Sequence, residues 1–250
     1  MCEMIAFQET LPGATFALSE VLPLAAQVER LGIAGFGWGV AWHDPTTRQV
    51  QCYRAPIALR DDPEASAPGL CNTRADAALV HLRRPVQLST IGLADTQPFY
   101  SQRHGCAFAH NGDFVSHELL RPHYLEQGLL QGKADSEIGF RLFEDELEQA
   151  TGERRTEQAL RQVHAKLGGR ANLLALMSDG SLTAYSKYED NWMFTCQTGS
   201  LNIIVTALYS WDQSVFDLIL RDAQQIRRME SGEAITLTPA HLAGNGNARD

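Results

Sequence analysis

The chain has 250 residues, 44% hydrophobic and 20% charged, with a formal net charge of −9. That is enough apolar material for a full core without staples, and one large domain over residues 1–250 is expected because no linker is visible. The acidic balance argues against broad binding to nucleic acid or anionic membranes, which both call for basic surface.

No apolar run approaches the ~20 residues of a membrane span, and no charged leader followed by an apolar stretch opens the chain. Neither a membrane anchor nor secretion is expected. Cys2, Cys52, Cys71, Cys106 and Cys196 are odd in number and scattered, which suits a reducing cytoplasm better than a disulfide framework. No cysteine pair has metal-ligand spacing and the eight histidines form no HExxH-like cluster, so neither a metal nor a cofactor is expected.

Met1-Cys2 opens the chain, and Glu3 to Phe7 reads as a short apolar strand. If Met1 is removed, Cys2 carries a thiol and a free α-amine on one carbon. An amine of pKa about 8 can act as base toward its own thiol. The bland alternative is an unprocessed start with an ordinary cysteine. Phe16 to Leu31 has helical apolar spacing, with Pro23 placed to bend the helix or delay its start, and Gly32 ends it. Gly35 to His43 is a glycine-rich entry into a strand, and Gln49 to Arg54 is its hairpin partner; the glycines suit close backbone approach in a plain hairpin or a site lining.

Residues 56–76 read as loop with at most a short helix. Ala77 to Leu82 reads as a buried strand, followed by Arg83 and Arg84; an arginine at the end of such a strand implies an anionic neighbour. Gln87 to Gln97 is a polar connection. Ala107 to Ala109 reads as strand and Asn111-Gly112 as a hairpin-type turn. The functional alternative makes the Asn111 amide and the Gly112 N–H an oxyanion hole, with His110 structural.

Helices are expected over Val115 to Gln127, from about Asp135 to Ala150, and over Thr156 to Leu167. Asp135 or Ser136 is placed to cap the second of these. Strands follow at Ala171 to Met177, Leu182 to Lys187, Met193 to Thr195 and Leu201 to Thr206. A helix near Ser214 to Leu220, a strand at Ala234 to Leu237 and a frayed tail from Ala243 complete the chain.

Six pieces appear in one order: Met1-Cys2, GWGVAW (Gly37 to Trp42), His81-Leu82-Arg83, QPF (Gln97 to Phe99), FAHNG (Phe108 to Gly112) and DSE (Asp135 to Glu137). With them the chain resembles the class-II glutamine amidotransferases, and among these the stand-alone members that include γ-glutamyl peptide hydrolases. The resemblance spans nearly the whole chain. It implies an α+β, four-layer αββα N-terminal-nucleophile hydrolase fold with two stacked, mostly antiparallel sheets. It further implies Cys2 as nucleophile, its amine as base, and Asn111 with Gly112 as oxyanion hole. Arg83 would bind the α-carboxylate of a γ-glutamyl substrate and Asp135 its α-ammonium.

Three departures bear on the substrate. Phe36 stands where the family has Asp before GWG, Arg84-Pro85 replaces a small residue and Thr, and Thr206-Ala207-Leu208-Tyr209 replaces Ser-Glu-Pro-Leu. The expected activity is hydrolysis of a γ-glutamyl amide through a thioester. The alternatives are a glutaminase subunit feeding ammonia to a separate acceptor enzyme, and a catalytically silent binding module. A small-molecule substrate, no nucleic-acid or membrane partner, and an acceptor enzyme or a second copy as possible protein partner complete these expectations.

Overall fold

A computed structural model describes residues 2–31, 34–206 and 214–239. Met1, Gly32, residues 207–209 of the departing stretch and the tail from Ala243 lie outside them. The first strand, β1 (Glu3–Glu9), is buried along its whole length. A two-residue strand β2 (Phe16–Ala17) leads into α1 (Leu18–Leu31), which accommodates Pro23. The glycine-rich stretch delivers the hairpin β3 (Trp38–Asp44) and β4 (Gln49–Ala55). Residues 56–76 hold short turns, a single-turn α2 (Pro68–Cys71) and β5 (Arg74–Ala75), before β6 (Ala77–Leu82).

The middle of the chain gives β7 (Phe99–Ser101), β8 (Cys106–Asp113), α3 (His117–Glu126), α4 (Asp135–Gln149) and α5 (Arg155–Leu167). Then come β9 (Arg170–Met177), β10 (Leu182–Lys187), β11 (Met193–Thr198), β12 (Leu201–Thr206), α6 (Ser214–Leu218), β13 (Gln224–Arg228) and β14 (Ala234–Leu237). Strand β13 has no counterpart in the sequence reading. Its residues are all exposed, so no alternation of apolar and polar side chains marks it.

Two sheets carry the fold, in orders β13-β11-β12-β1-β6-β3-β4 and β14-β10-β9-β8-β7, and the pairings in both are antiparallel. Three apolar clusters show how they stack. Met4, Ala6, Leu79, Ala109, Leu174 and Ile204 fill the space between the sheets. Ile5, Phe7, Val80 and Val205 face α1 on one outside, while Phe108, Leu173 and Ala175 face α4 and α5 on the other. Because both faces of the central strands are covered, those strands read as nearly continuous apolar runs. The result is the expected four-layer αββα arrangement.

Two local expectations change. Asn111-Gly112 is no turn: β8 runs through it, with Asn111 opposite Asn172 and Gly112 opposite Ala171. Glycine is required for another reason. Gly112 has φ +143°, and a Cβ there would stand 1.8 Å from the Arg170 carbonyl oxygen. Nor is Asp135 or Ser136 the N-cap of α4. Ala134 holds that position without a side-chain bond.

Candidate active site

At one end of the sandwich β1 begins, β6 ends, β8 ends and α4 begins. Between them lies a cavity of about 430 Å³ lined by Cys2, Arg83, Gly112 and Asp135, together with Asp95, Gln97 and His110. Four of the five sequence-predicted residues therefore line one cavity. The fifth, Asn111, is absent from the lining but faces the same inter-sheet space. Ala107 and Ala109 point inward from β8, and by the two-residue period so does Asn111; Met4 and Ala6 point inward from β1, and Cys2 continues that series. Asn111 is 1% exposed, and neither its amide nitrogen nor its carbonyl oxygen has a partner among the described residues. Leaving such groups unmet costs about 1–3 kcal/mol each, a cost expected where a ligand completes the bonding.

Gln97 explains how Gly112 is offered to the cavity. Strand β7 pairs with β8 only as far as Phe108. Beyond that, the Gln97 side chain takes the place of a strand: the His110 N–H donates to Gln97 Oε1 at 2.7 Å and Gln97 Nε2 donates to the His110 carbonyl at 3.2 Å. Donors on this edge recur every second residue, so the next N–H along it belongs to Gly112. His110 itself is buried, stacks on Phe114 at 4.0 Å and shares a 3.0 Å hydrogen bond with Ser136 Oγ. Burial holds its pKa below the usual histidine range. A neutral, packed imidazole agrees with a structural role.

Cys2 Sγ receives the Arg84 N–H at 3.4 Å and lies 3.8 Å from the Arg84 carbonyl oxygen. Burial pushes its thiol pKa up, against the Arg84 hydrogen bond and the nearby Arg83 charge, which lower it. The thiol thus needs a base to react at neutral pH.

Arg83 is buried; its guanidinium hydrogen-bonds an uncharged partner, while an anionic neighbour, Asp95, acts on it by charge alone. The guanidinium donates to the Thr90 carbonyl at 2.5 Å and to Thr90 Oγ1 at 2.7 Å, so the loop after β6 aims it. Its backbone is fastened by the glycine-rich stretch: Arg83 N donates to the Gly37 carbonyl, and the N–H groups of Gly35 and Phe36 donate to the Arg83 carbonyl. The glycines thus hold the site from outside it. Close approach is real at Gly39, where a Cβ would stand 2.5 Å from the Gln97 carbonyl oxygen.

Asp135 bridges two elements. Its Oδ2 accepts the Phe114 N–H at 2.8 Å and its Oδ1 the Ser136 N–H at 2.9 Å, tying the end of β8 to the start of α4. Sequence reasoning passes over Asp95, which fastens the turn before α4. Buried in the cavity wall, Asp95 Oδ1 accepts the N–H groups of Lys133 and Ala134 at 2.6 and 2.7 Å. Nothing in the polar Gln87 to Gln97 connection marked it, because its partners are 38 and 39 residues away. No group of three or more His, Cys, Asp or Glu suited to a metal ion occurs among the described residues.

The family model described as class-II glutamine amidotransferases matches residues 1–198. The chain belongs to the class-II glutamine amidotransferases. Among solved structures this amidotransferase is similar to the glutamine phosphoribosylpyrophosphate (PRPP) amidotransferase from B. subtilis complexed with ADP and GMP, at 15% identity and TM-score 0.71. It is similar at 17% identity and TM-score 0.72 to a structure described as the allosteric regulatory enzyme of purine biosynthesis. Each match covers 95% of this chain and 47% of the other, so the chain spans about half their length. A class-II domain protein from Silicibacter pomeroyi matches at 18% identity and TM-score 0.61, covering 95% of both chains. Among curated proteins none matches. At these identities the structural likeness establishes the fold, which is that of the N-terminal-nucleophile hydrolases.

Proposed function

We propose that the protein hydrolyses a γ-glutamyl amide, in glutamine or a γ-glutamyl peptide, through a thioester on Cys2. The observation that carries this reading is the convergence of Cys2, Arg83, Gly112 and Asp135 on one cavity, with the unpartnered Asn111 amide beside it. While Met1 is attached, the Cys2 nitrogen is a peptide amide and cannot take a proton. Its removal frees an amine that can accept the thiol proton. The sulfur then attacks the amide carbon, and the Asn111 amide and Gly112 N–H receive the oxyanion. The proton passes to the leaving nitrogen, ammonia or an amine departs, and water cleaves the thioester to release the γ-glutamyl acid and restore the thiol.

Arg83 offers a preoriented fork to the substrate carboxylate, and Asp135 a carboxylate to its ammonium. The volume falls in the range of small-ligand sites, about 300–1,000 Å³. Val86 and Val115, largely exposed at its rim, suit a leaving group larger than ammonia. We read residues 1–250 as one domain: the family match ends with β11, yet β12, which pairs directly with β1, comes after it. All five cysteines are unpaired, as a reducing cytoplasm would keep them. No helix among the described residues is long and apolar enough to cross a membrane.

A second reading, delivery of ammonia to a separate acceptor enzyme, draws support from the two double-length structures, in which the matched region is only about half the chain. The test is to offer Met-free protein glutamine and a panel of γ-glutamyl amides and to measure released glutamate or γ-glutamyl acid. Turnover of peptides well above glutamine supports the first reading. Weak glutamine turnover that rises only with a partner enzyme supports the second, and no turnover of anything returns the chain to a silent binding module.

A further inference from the structure

Glu3 is a carboxyl group buried one residue from the nucleophile, 1% exposed, and the reaction outlined above has no use for it. Its Oε2 accepts the Thr206 hydroxyl at 2.6 Å, and the same hydroxyl oxygen accepts the Met4 N–H at 2.8 Å. Its Oε1 lies 3.4 Å from Asn191 Nδ2, which also donates to the Cys2 carbonyl at 3.5 Å. The chain of contacts then crosses to the other sheet. The Asn191 carbonyl accepts Asn172 Nδ2 at 2.5 Å, and Asn172 stands directly opposite Asn111 across the β8–β9 ladder. One buried polar network thus joins the backbone of Cys2 to the strand pair that presents the oxyanion residue.

Hydrogen bonding alone does not call for an ionisable group here; glutamine could reach the same partners. We infer that Glu3 is a positioning residue for the nucleophile: with Thr206 and Asn191 it fixes the backbone carrying the Cys2 thiol and α-amine, and its charge state sets how readily that amine releases its proton. The inference rests on Cys2 being the nucleophile. Burial pushes the Glu3 pKa up to about 8, opposed by the Thr206 and Asn191 hydrogen bonds and by Arg84. Below that pH the neighbour of the amine is neutral. As Glu3 ionises, its charge favours the ammonium over the free base. The ionisable groups around it are Cys2 just before its strand, Arg84 after β6, and Tyr188 after β10. His81, paired with Met4 on β6, is kept neutral by burial, its pKa down to about 3.

The experiment compares Met-free wild type, Glu3→Gln and Glu3→Ala by two readouts across pH 6 to 10. One is kcat and KM on the best substrate; the other is the rate of Cys2 alkylation by iodoacetamide, read by peptide mass spectrometry. Glu3→Gln removes the charge and keeps both partners, its amide oxygen accepting from Asn191 and its NH2 donating to the Thr206 oxygen, whose hydroxyl turns to the Met4 carbonyl; the ascending limb of both profiles then moves down by about one pH unit. Glu3→Ala loosens the network, lowering kcat by up to about 10²-fold with KM nearly kept. Unmoved limbs in Glu3→Gln, whatever its melting temperature, would overturn the inference. If wild type turns over no amide, the hydrolase reading fails, and the alkylation profile still decides the role of Glu3.

Discussion

The two sides of the cavity are built differently. The proposed reacting side, Cys2, Asn111 and Gly112, sits in or against central strands packed between layers, and its groups gain their direction from ladder register. The proposed recognition side, Arg83 and Asp135, stands at the end of a strand and the start of a helix. There, individual contacts hold it: Thr90, seven residues on, for Arg83, the Phe114 N–H for Asp135, and the Asp95 carboxylate for the turn before α4. Register fixes a side chain through many shared bonds, whereas a loop contact depends on one or two. The reacting side should therefore tolerate little change without losing chemistry, and the recognition side should lose binding in graded steps.

The largest effect belongs to Cys2. Cys2→Ala in Met-free protein removes the nucleophile, and by comparison with other nucleophile deletions the loss of turnover is on the order of 10⁶. Protein that retains Met1, sorted by intact mass, should be equally inert. Cys52, Cys106 and Cys196, whose pKa values burial pushes up to about 12, should stay unlabelled by a glutamine-mimicking electrophile at neutral pH. Full activity with Met1 in place would remove the self-activated nucleophile from the scheme.

Asn111→Ala comes next and separates chemistry from stability. An oxyanion donor is worth on the order of 10²–10³ in kcat. Since neither polar atom of the Asn111 side-chain amide has a partner among the described residues, deleting it should leave the melting temperature level or higher, once the gain is set against the small void. A drop in stability with kcat preserved would make Asn111 a packing residue.

On the recognition side, Asp135→Asn removes the charge proposed to meet the substrate ammonium. Asp135 is partly open to solvent, so the low end of the 2–5 kcal/mol range, about 2 kcal/mol in kcat/KM, is expected. A substrate lacking its α-amino group should be a poor substrate of wild type and barely worse for the variant. Equal penalties for both proteins would reduce Asp135 to its bonds with Phe114 and Ser136. Arg83→Lys is the matching probe for the carboxylate, because lysine keeps the charge and loses the fork that Thr90 aims.

The same division decided what could be read from the sequence. Strands β6, β10, β12 and β14 fall on the expected residues, because apolar runs bounded by turn residues identify themselves locally. Cys2, Arg83, Gly112 and Asp135 were found through motif order and meet at one cavity. Asp95 was not found, since its value lies in two N–H groups brought near only by folding. Asn111-Gly112 misled in the other direction: its turn signature is local, and the requirement for glycine comes from the neighbouring strand carrying Arg170. Exposed β13 left no pattern at all.

The smallest expected effect is a slope in stability rather than in rate, and it tests how dry the inter-sheet layer is. Burial depresses the His81 pKa from the ordinary 6.5 to about 3, with the Arg83 charge acting in the same direction. Between those values the unfolded chain binds a proton that the folded chain refuses, so stability is lost as pH falls from about 6.5 toward 3. His110 acts in the same sense. Glu3 acts in the opposite sense, because its raised pKa lets the folded chain hold a proton that the unfolded chain has released; its contribution is lost as pH rises from 4.5 to about 8. The two effects together place the stability maximum between the acid and alkaline limbs. His81→Asn should shrink the difference in melting temperature between pH 5 and pH 7. Any loss of packing common to both pH values cancels from that difference. An unchanged gap would mean that His81 is hydrated, and that water reaches the layer on which the reacting side depends for its direction.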